Sequence, residues 1–263
     1  MSQKVRQHVQ QLFSEGKIKG FLGLREDGGQ ILPHLFRRPE ELERLSLGDW
    51  KKPGDARYPL NQLLIHLARQ HPDETFGVLV RGCDERGLRE LFKWNQLDKE
   101  RVLPVGIGCP DELARACECA KPYPDSLIEG PQGEKRENER VDRIDEMDLE
   151  SRLAFWMAEF SRCIKCFGCR NVCPMCFCNE CSLQEEVLVG KGEIPPDNPT
   201  FHLIRAVHMV GRCIDCGLCE EACPADIPLR ILYKKVGEIV SEEFGYQTGY
   251  SLEKKSPFII IGG

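Results

Sequence analysis

Two cysteine runs of identical spacing constrain this chain more strongly than any other feature of its sequence. Run one is Cys163, Cys166, Cys169 and Cys173 followed by Pro174, and run two is Cys213, Cys216, Cys219 and Cys223 followed by Pro224. Both read C-x2-C-x2-C-x3-C-P, which is the spacing typical of chains that carry two 4Fe–4S clusters. Three closely spaced thiolates can surround one cubane, whereas the longer gap and the proline turn the fourth thiolate away.

The same spacing predicts that the fourth cysteine of each run binds the cluster of the other run. The predicted ligands of cluster one are Cys163, Cys166, Cys169 and Cys223, and those of cluster two are Cys213, Cys216, Cys219 and Cys173. Zinc is the rival metal, but zinc sites usually combine two separated C-x2-C pairs or add histidine. Neither run has that form, so we expect two iron–sulfur clusters.

Seven further cysteines stand outside the two runs. They are Cys83, Cys109, Cys117, Cys119, Cys176, Cys178 and Cys181. One hypothesis is a third iron–sulfur cluster or other metal site between two domains, for example Cys109, Cys117 and Cys119 with one cysteine of residues 176–181. The alternative is that these cysteines are packing residues or free thiols. We favour the third site, because exposed free thiols at this density would be prone to oxidation.

Charge and hydropathy narrow the class of protein. The formal net charge of −6 argues against a nucleic-acid-binding surface, which would show a basic excess. The sequence has no run of eighteen apolar residues for a membrane span, and the first residues lack the apolar segment of a signal peptide. We therefore expect a cytoplasmic protein whose fifteen cysteines serve metals or catalysis rather than disulfides.

Apolar periodicity predicts an α/β N-terminal domain with a small parallel or mixed sheet, followed by a mainly α-helical dicluster ferredoxin domain. The predicted boundaries are 1–120 for the α/β domain, 121–150 for a Pro-, Gly- and charge-rich linker, 151–245 for the dicluster domain and 246–263 for a C-terminal tail. Strands are predicted at 76–81 and 102–108, with Pro104 placing the second near a sheet edge. A helix lies between them, which makes a βαβ unit.

Predictions for several single residues follow from these elements. Cys83 and Cys109 come directly after the two predicted strands, at the edge where open α/β sheets bind ligands. Asp84 is placed to cap the following helix, whose N-terminus could hold an anion. On the helix predicted from residue 198, Phe201, Ile204 and Val207 are expected to face inward. Residues His202 and His208 of that helix are expected to be ordinary core or surface residues.

The segment FGVLVRGCDERGLRELFKWNQLDKERVLPVGIGC, residues 76–109, resembles the N-terminal domain of the beta subunits of deazaflavin-reducing hydrogenases and dehydrogenases. The C-terminal half resembles dicluster ferredoxin subunits that accompany formate dehydrogenases and heterodisulfide-reductase-like complexes of anaerobes. Its separation of the two runs is similar to that in α-helical ferredoxin domains. The resemblance implies FAD and iron–sulfur clusters as cofactors, and other redox subunits as partners.

Together these observations predict an iron–sulfur electron-transfer subunit of a cytoplasmic oxidoreductase complex of formate dehydrogenase, hydrogenase or heterodisulfide reductase type. It would relay single electrons through two or three 4Fe–4S clusters, with no catalytic residue of its own and no nucleic-acid or membrane partner. One alternative is a flavin-containing dehydrogenase beta subunit that acts on a deazaflavin or nicotinamide carrier. A second alternative is a non-redox interaction protein stabilised by zinc.

Overall fold

The chain divides into two compact units, Met1–Glu137 (unit 1) and Asn138–Gly263 (unit 2). The structure, a computed structural model, describes residues 2–187, 189–190, 194 and 199–259. Unit 1 is α/β with a mixed sheet and unit 2 is helical, so the predicted fold class is confirmed. Among the described residues, no helix combines the length and apolarity that crossing a membrane requires.

Unit 1 is built on a six-stranded sheet with the order β2-β1-β4-β5-β6, and β3 pairs with β1. The strands are β1 (Gly20–Asp27), β2 (Gln30–Phe36), β3 (Leu45–Ser46), β4 (Phe76–Val80), β5 (Val102–Ile107) and β6 (Leu127–Glu129). The β1–β2 and β1–β3 pairs are antiparallel, whereas β1–β4, β4–β5 and β5–β6 are parallel. Every residue of β4 is buried, as expected for a central parallel strand.

Four helices of unit 1 connect or cover these strands. They are α1 (Gln3–Ser14), α2 (Leu60–Gln70), α3 (Gly82–Lys93) and α4 (Asp111–Ala116). The β4–α3–β5 segment is the predicted βαβ unit. The β1–β2 hairpin was not predicted, although its turn carries a readable signal: Gly28 and Gly29 follow Asp27, and both have positive φ, at 57° and 77°. A two-residue hairpin turn of this kind favours glycine.

Pro104 does not lie on an edge strand, so that prediction is wrong in part. β5 pairs with β4 on one side and with β6 on the other. The β6 pairing, however, reaches only Gly106 and Ile107 of β5. Pro104 therefore lies beyond the end of β6, where its missing N–H leaves no hydrogen bond of the ladder unmade.

Unit 2 contains six helices within its described residues. They are α5 (Glu139–Asp145), α6 (Leu149–Ser161), α7 (Gly168–Asn171), α8 (Thr200–His208), α9 (Leu218–Glu221) and α10 (Leu229–Phe244). Where the sequence predicts a linker over 121–150, the structure has β6, α5 and the start of α6. Val141 and Ile144 of α5 are buried against Ile231 of α10. This charge-rich stretch therefore contains two apolar residues at helical spacing, Val141 and Ile144, that are buried in the structure.

The buried face of α8 differs from the predicted one. Phe201 is buried, but Val207 is 67% exposed, so its predicted inward position is wrong. The side chains buried instead are His202, Arg205 and Ala206. Polar residues take this face because it borders cavities lined by thiols, described below. The predicted helix start at residue 198 lies outside the described residues.

Candidate metal centres

The two cysteine runs adopt the same local conformation in unit 2. Helices α7 and α9 occupy equivalent positions, fifty residues apart, within run one and run two. Lys165 and Asp215 are left-handed at one equivalent position, with φ of 54° and 55°, and Phe167 and Gly217 are left-handed at the next, with φ of 59° and 77°. The first three thiols of each run line the same cavity.

Backbone amides donate to the thiols within run one. The Lys165 N–H donates to the Cys163 Sγ and the Gly168 N–H donates to the Cys166 Sγ, each at 3.4 Å. In run two the Asp215 N–H likewise donates a hydrogen bond to the Cys213 thiol. This hydrogen bond lowers the pKa of Cys213, whereas burial raises it by more. Amides aimed at sulfur stabilise negative charge there, as a thiolate ligand requires.

Cavity one is lined by three thiols of run one and one of run two: Cys163, Cys166, Cys169 and Cys223. Burial is the main cause of a raised pKa at Cys163, and the neighbouring Cys169, Cys223 and Cys166 thiols raise it further. The Cys166 thiol is exposed, whereas Cys169 is buried. Four thiols from the two runs therefore line one cavity.

Cavity two is lined by three thiols of run two and one of run one: Cys213, Cys216, Cys219 and Cys173. Burial raises the pKa of Cys213 to about 12 and that of Cys219 well above its ordinary value. None of these four thiols is exposed, which distinguishes cavity two from cavity one. The two cavities are thus matched in the number of thiols that line them.

A polynuclear cluster fits these thiols better than a single ion. Tetrahedral zinc with Zn–S bonds near 2.3 Å would hold its four sulfurs about 3.8 Å from one another. Over the described ranges, no group of three or more His, Cys, Asp or Glu side chains is arranged to hold one metal ion. Eight thiols around two cavities, in an all-sulfur donor set, suit a cubane whose iron atoms each take one thiolate.

Several large polar side chains are buried against these cavities, and three of them are 3% exposed or less. His202 (1% exposed) lines cavity one, while Arg205 (3%) and Tyr233 (3%) line cavity two. Burial, with a smaller contribution from the Arg205 charge, lowers the pKa of His202 to about 4, so its imidazole is neutral. The Arg205 guanidinium donates to the Cys176 Sγ at 3.2 Å and to the Cys169 carbonyl oxygen at 2.8 Å. Sequence reasoning gave none of the three a role.

Cys176, Cys178 and Cys181 have separate surroundings in the described structure. A hydrogen bond with Cys173 is the main cause of the raised pKa of Cys176. Cys178 is exposed and accepts from the Arg212 guanidinium at 3.8 Å. Cys181 packs beside an apolar cluster that includes Leu183. None of the three cysteines is among the residues that line cavity one or cavity two.

Three other cysteines form a thiol group in unit 1, which we call the α4 thiols: Cys109, Cys117 and Cys119. Cys109 follows β5, and Cys117 is the residue directly after α4. Glu118 has a positive φ of 43°, and this turn lets the Cys119 N–H donate to the Ala114 carbonyl oxygen. Burial is the main cause of the raised pKa of Cys109, the other two thiols raise it further, and a hydrogen bond from Arg81 opposes the rise. Cys109 and Cys119 are buried, and Arg57 lies 3.9 Å from the Cys117 Sγ.

The N-terminus of α3, where the sequence suggests an anion, is capped by a side chain and packed against backbone. The Arg81 N–H donates to the Asp84 carboxylate at 2.9 Å, which is the predicted capping role of Asp84. Gly82 approaches the backbone of residues 121–123 so closely that a Cβ there would lie 2.5 Å from the Lys121 carbonyl oxygen. Cys83 is half-buried in the first turn of the same helix. The backbone of residues 121–123 therefore packs directly against the first turn of α3.

Comparisons with known proteins point to iron–sulfur chemistry in unit 2. Residues 206–228, which contain run two, match the family model described as a 4Fe-4S binding domain. The chain is 46% identical over 94 residues to the F420-dependent formate dehydrogenase subunit beta of Methanocaldococcus jannaschii, covering 36% of this chain and 25% of the relative. It is 45% identical over 94 residues to the F420-dependent formate dehydrogenase 1 subunit beta of Methanococcus maripaludis, covering 36% and 24%. The similarity thus spans about a quarter of the length of these relatives.

Proposed function

We propose that this chain is an iron–sulfur electron-transfer subunit of a formate dehydrogenase complex and relays single electrons through two 4Fe–4S clusters. The observation that carries the proposal is the lining of the two cavities, each by three thiols of one run and the fourth thiol of the other. The match of residues 206–228 to a 4Fe-4S binding domain supports the same cofactor. The names of the two relatives support the type of complex.

The residues of this chain would bind and insulate the clusters rather than transform a substrate. Cys163, Cys166, Cys169 and Cys223 would hold cluster one, and Cys213, Cys216, Cys219 and Cys173 would hold cluster two. Bound 4Fe–4S clusters supply one-electron transfer. The surrounding protein excludes water and donates amide hydrogen bonds to sulfur, which tunes the potential. The exposed Cys166 marks cavity one as the side at which an electron would enter or leave.

Other redox subunits are the partners that this role requires, and a reducing cytoplasm is the compartment that it suits. The finer family resemblance, to a deazaflavin-reducing beta subunit joined to an α-helical dicluster domain, belongs to the same proposal. The rival flavin-bearing dehydrogenase is separated from it by flavin analysis of protein purified without air. A stoichiometric flavin released by acid would favour the rival.

Metal analysis of the full chain tests the main proposal directly. Protein purified under argon is expected to hold about eight iron atoms and about eight acid-labile sulfides per chain, since two cubanes contain four of each. It should be brown and absorb broadly near 400 nm, as iron–thiolate charge transfer does. Zinc without iron would refute the proposal and favour the zinc-stabilised interaction protein. A chain that contains neither iron nor zinc after this purification would refute both the iron–sulfur proposal and the zinc alternative.

A third cluster is a separate part of the proposal, and the α4 thiols would be among its ligands. Supporting it are the burial of Cys109 and Cys119 and the two guanidinium groups beside the thiols, which would offset cluster charge. Iron content should then be about twelve atoms per chain. The double variant Cys109→Ser, Cys119→Ser should lose about four of them, and Cys83→Ser is the matched control. An unchanged iron content in the double variant would remove the third cluster alone.

A further inference from the structure

We propose that His202 and Tyr233 each donate a hydrogen bond to a cluster sulfur, His202 in cavity one and Tyr233 in cavity two, and so raise the reduction potential of that cluster. The inference rests on the proposed function, since it needs clusters in both cavities. It assigns a potential-tuning role to two residues outside the cysteine runs. Each residue would act on one cluster and leave the other unchanged.

His202 is a buried donor without an acceptor. It is 1% exposed, and neither ring nitrogen has a hydrogen-bond partner among the described residues. Phe160 stacks on one face of the ring, with centroids 4.4 Å apart and an angle of 14°, and Phe201 lies edge-on at 5.1 Å. A neutral imidazole keeps one N–H on its edge. Because His202 lines cavity one, sulfur in that cavity is the acceptor available to it.

Tyr233 holds the corresponding position in cavity two. It lies on α10, is 3% exposed, and its hydroxyl has no hydrogen-bond partner in the described part of the chain. The Arg205 guanidinium lies over its ring, 5.8 Å from the centroid. Tyr233 also lies near the Cys219, Cys169 and Cys173 thiols, of which Cys219 and Cys173 line the same cavity. Buried phenol hydroxyls nearly always donate to an acceptor, so an acceptor for the Tyr233 hydroxyl is expected in this cavity.

Arg205 is not an acceptor for either group, because a guanidinium carries only donors; its Nε has no hydrogen-bond partner among the described residues, and its terminal nitrogens have acceptors. It donates to the Cys176 sulfur and to the Cys169 carbonyl oxygen. The unmet donors of His202 and Tyr233 thus lie one at each cavity. Reduction adds negative charge to a cluster, and a donor aimed at its sulfur stabilises that charge. Removing a donor should make the cluster harder to reduce.

The experiment is an EPR-monitored redox titration of the anaerobically purified full chain with His202→Phe and Tyr233→Phe. Phenylalanine keeps the aromatic contacts and removes only the donor. We expect the reduction equilibrium of the matching cluster to weaken about threefold to tenfold, which is about 30 to 60 mV for a one-electron couple. The controls are His208→Phe, exposed on the same helix, and Tyr250→Phe, which is 40% exposed; neither should change a midpoint. Cys223→Ser and Cys173→Ser identify the signals of cluster one and cluster two.

A second measurement uses the unaltered chain, so the test does not depend on a variant that folds. Pulsed EPR of protein labelled with 15N in its imidazole rings should reveal a nitrogen coupled to cluster one. His202→Gln keeps an N–H donor, so the midpoint potential of cluster one in this variant should lie much closer to the wild-type value than in His202→Phe. Two loaded clusters with unchanged midpoints, equal shifts of both clusters, or no imidazole coupling would overturn the inference and leave the proposed function standing. A wild-type chain without clusters would instead refute the proposed function itself.

Discussion

The two units of this chain are built around different kinds of interior. Unit 1 has a conventional apolar core, with Phe21, Phe36 and Phe76 almost completely buried around its sheet. Unit 2 surrounds two thiol-lined cavities, and its buried residues include the polar side chains of His202 and Arg205. Helices α7 and α9, which carry thiols into those cavities, are only four residues long.

The difference shows where the folding free energy of each unit originates. Apolar burial at about 25 cal/mol per Å² stabilises the sheet of unit 1 without any ligand. Four-residue helices are far too short to be stable alone, and buried orphaned donors destabilise the unit that contains them. We therefore expect unit 2 to depend on metal ligation for part of its stability, in the way that other small metal-binding domains do.

The largest expected effect comes from withholding iron. Chain prepared without iron or sulfide should lose most of the helical signal of unit 2, because ligation then contributes nothing to its folding. The sheet of unit 1 should persist. Hydrogen exchange read by mass spectrometry distinguishes the two units, with protection expected at β4 and β5 and lost at α7, α9 and α10. Equal protection of both units without iron would contradict the comparison.

The next effect concerns ligands that cross between the runs. Cys173→Ala should abolish the cluster of cavity two and spare that of cavity one, because Cys173 lines cavity two with Cys213, Cys216 and Cys219. Cys223→Ala should do the reverse. The measurement is iron content, expected to fall by about four atoms in each variant, together with EPR of the remaining cluster. If Cys173→Ala instead lost the cluster of cavity one, or Cys223→Ala that of cavity two, the crossed assignment would be refuted.

A core deletion in unit 1 should affect stability but not iron. Phe21→Ala removes a fully buried ring that packs 6.1 Å from the ring of Phe36, and should destabilise unit 1 by about 3–5 kcal/mol. Urea unfolding followed by the sheet signal measures the change. Iron per chain should remain at the wild-type value. A parallel fall in iron would show that the metal sites depend on unit 1.

A smaller loss is expected at Glu85, a buried carboxylate that ties α3 to the segment before β6. It accepts from the Asp125 and Ser126 amides at 2.7 and 2.9 Å and from Arg89 at 2.7 Å. Glu85→Gln keeps the shape but loses charge-assisted bonds, so unit 1 should lose about 1.5–3 kcal/mol. Glu26→Gln, at an exposed position, is the matched control and should stay within about 0.5 kcal/mol.

The smallest effect is a pH dependence at Asp125. A hydrogen bond from Lys121, and a weaker one from Arg89, lower the pKa of its carboxyl below the ordinary value. A lowered folded-state pKa means that this stabilisation is present above the unfolded pKa, near 3.9, and is lost as the pH falls through the folded value. Asp125 is 57% exposed, so Asp125→Asn should cost less than about 1 kcal/mol at pH 7 and nothing at pH 2. Urea midpoints at the two pH values measure the difference.

Much of the fold could be predicted because its signals are local. The buried strand β4, the capped helix α3 and the strand β5 follow from apolar runs and one Asp, and all three appear in the structure. The sequence gives no clear sign of β6 and α5 within residues 121–150, because a three-residue strand and a charged helix carry little periodic signal. Their apolar residues become meaningful only against Gly106 of β5 or Ile231 of α10.

The sequence by itself determined which cysteines form two equivalent runs, because the left-handed turns and short helices between them are set by neighbours a few residues away. Only the tertiary structure decided which other side chains meet those thiols. Val207 and Arg205 differ by two positions on α8, and packing exposed the valine and buried the arginine. The orientation of a helix depends on everything it packs against, so His202 and Tyr233 became candidates for a role only once the cavities were known.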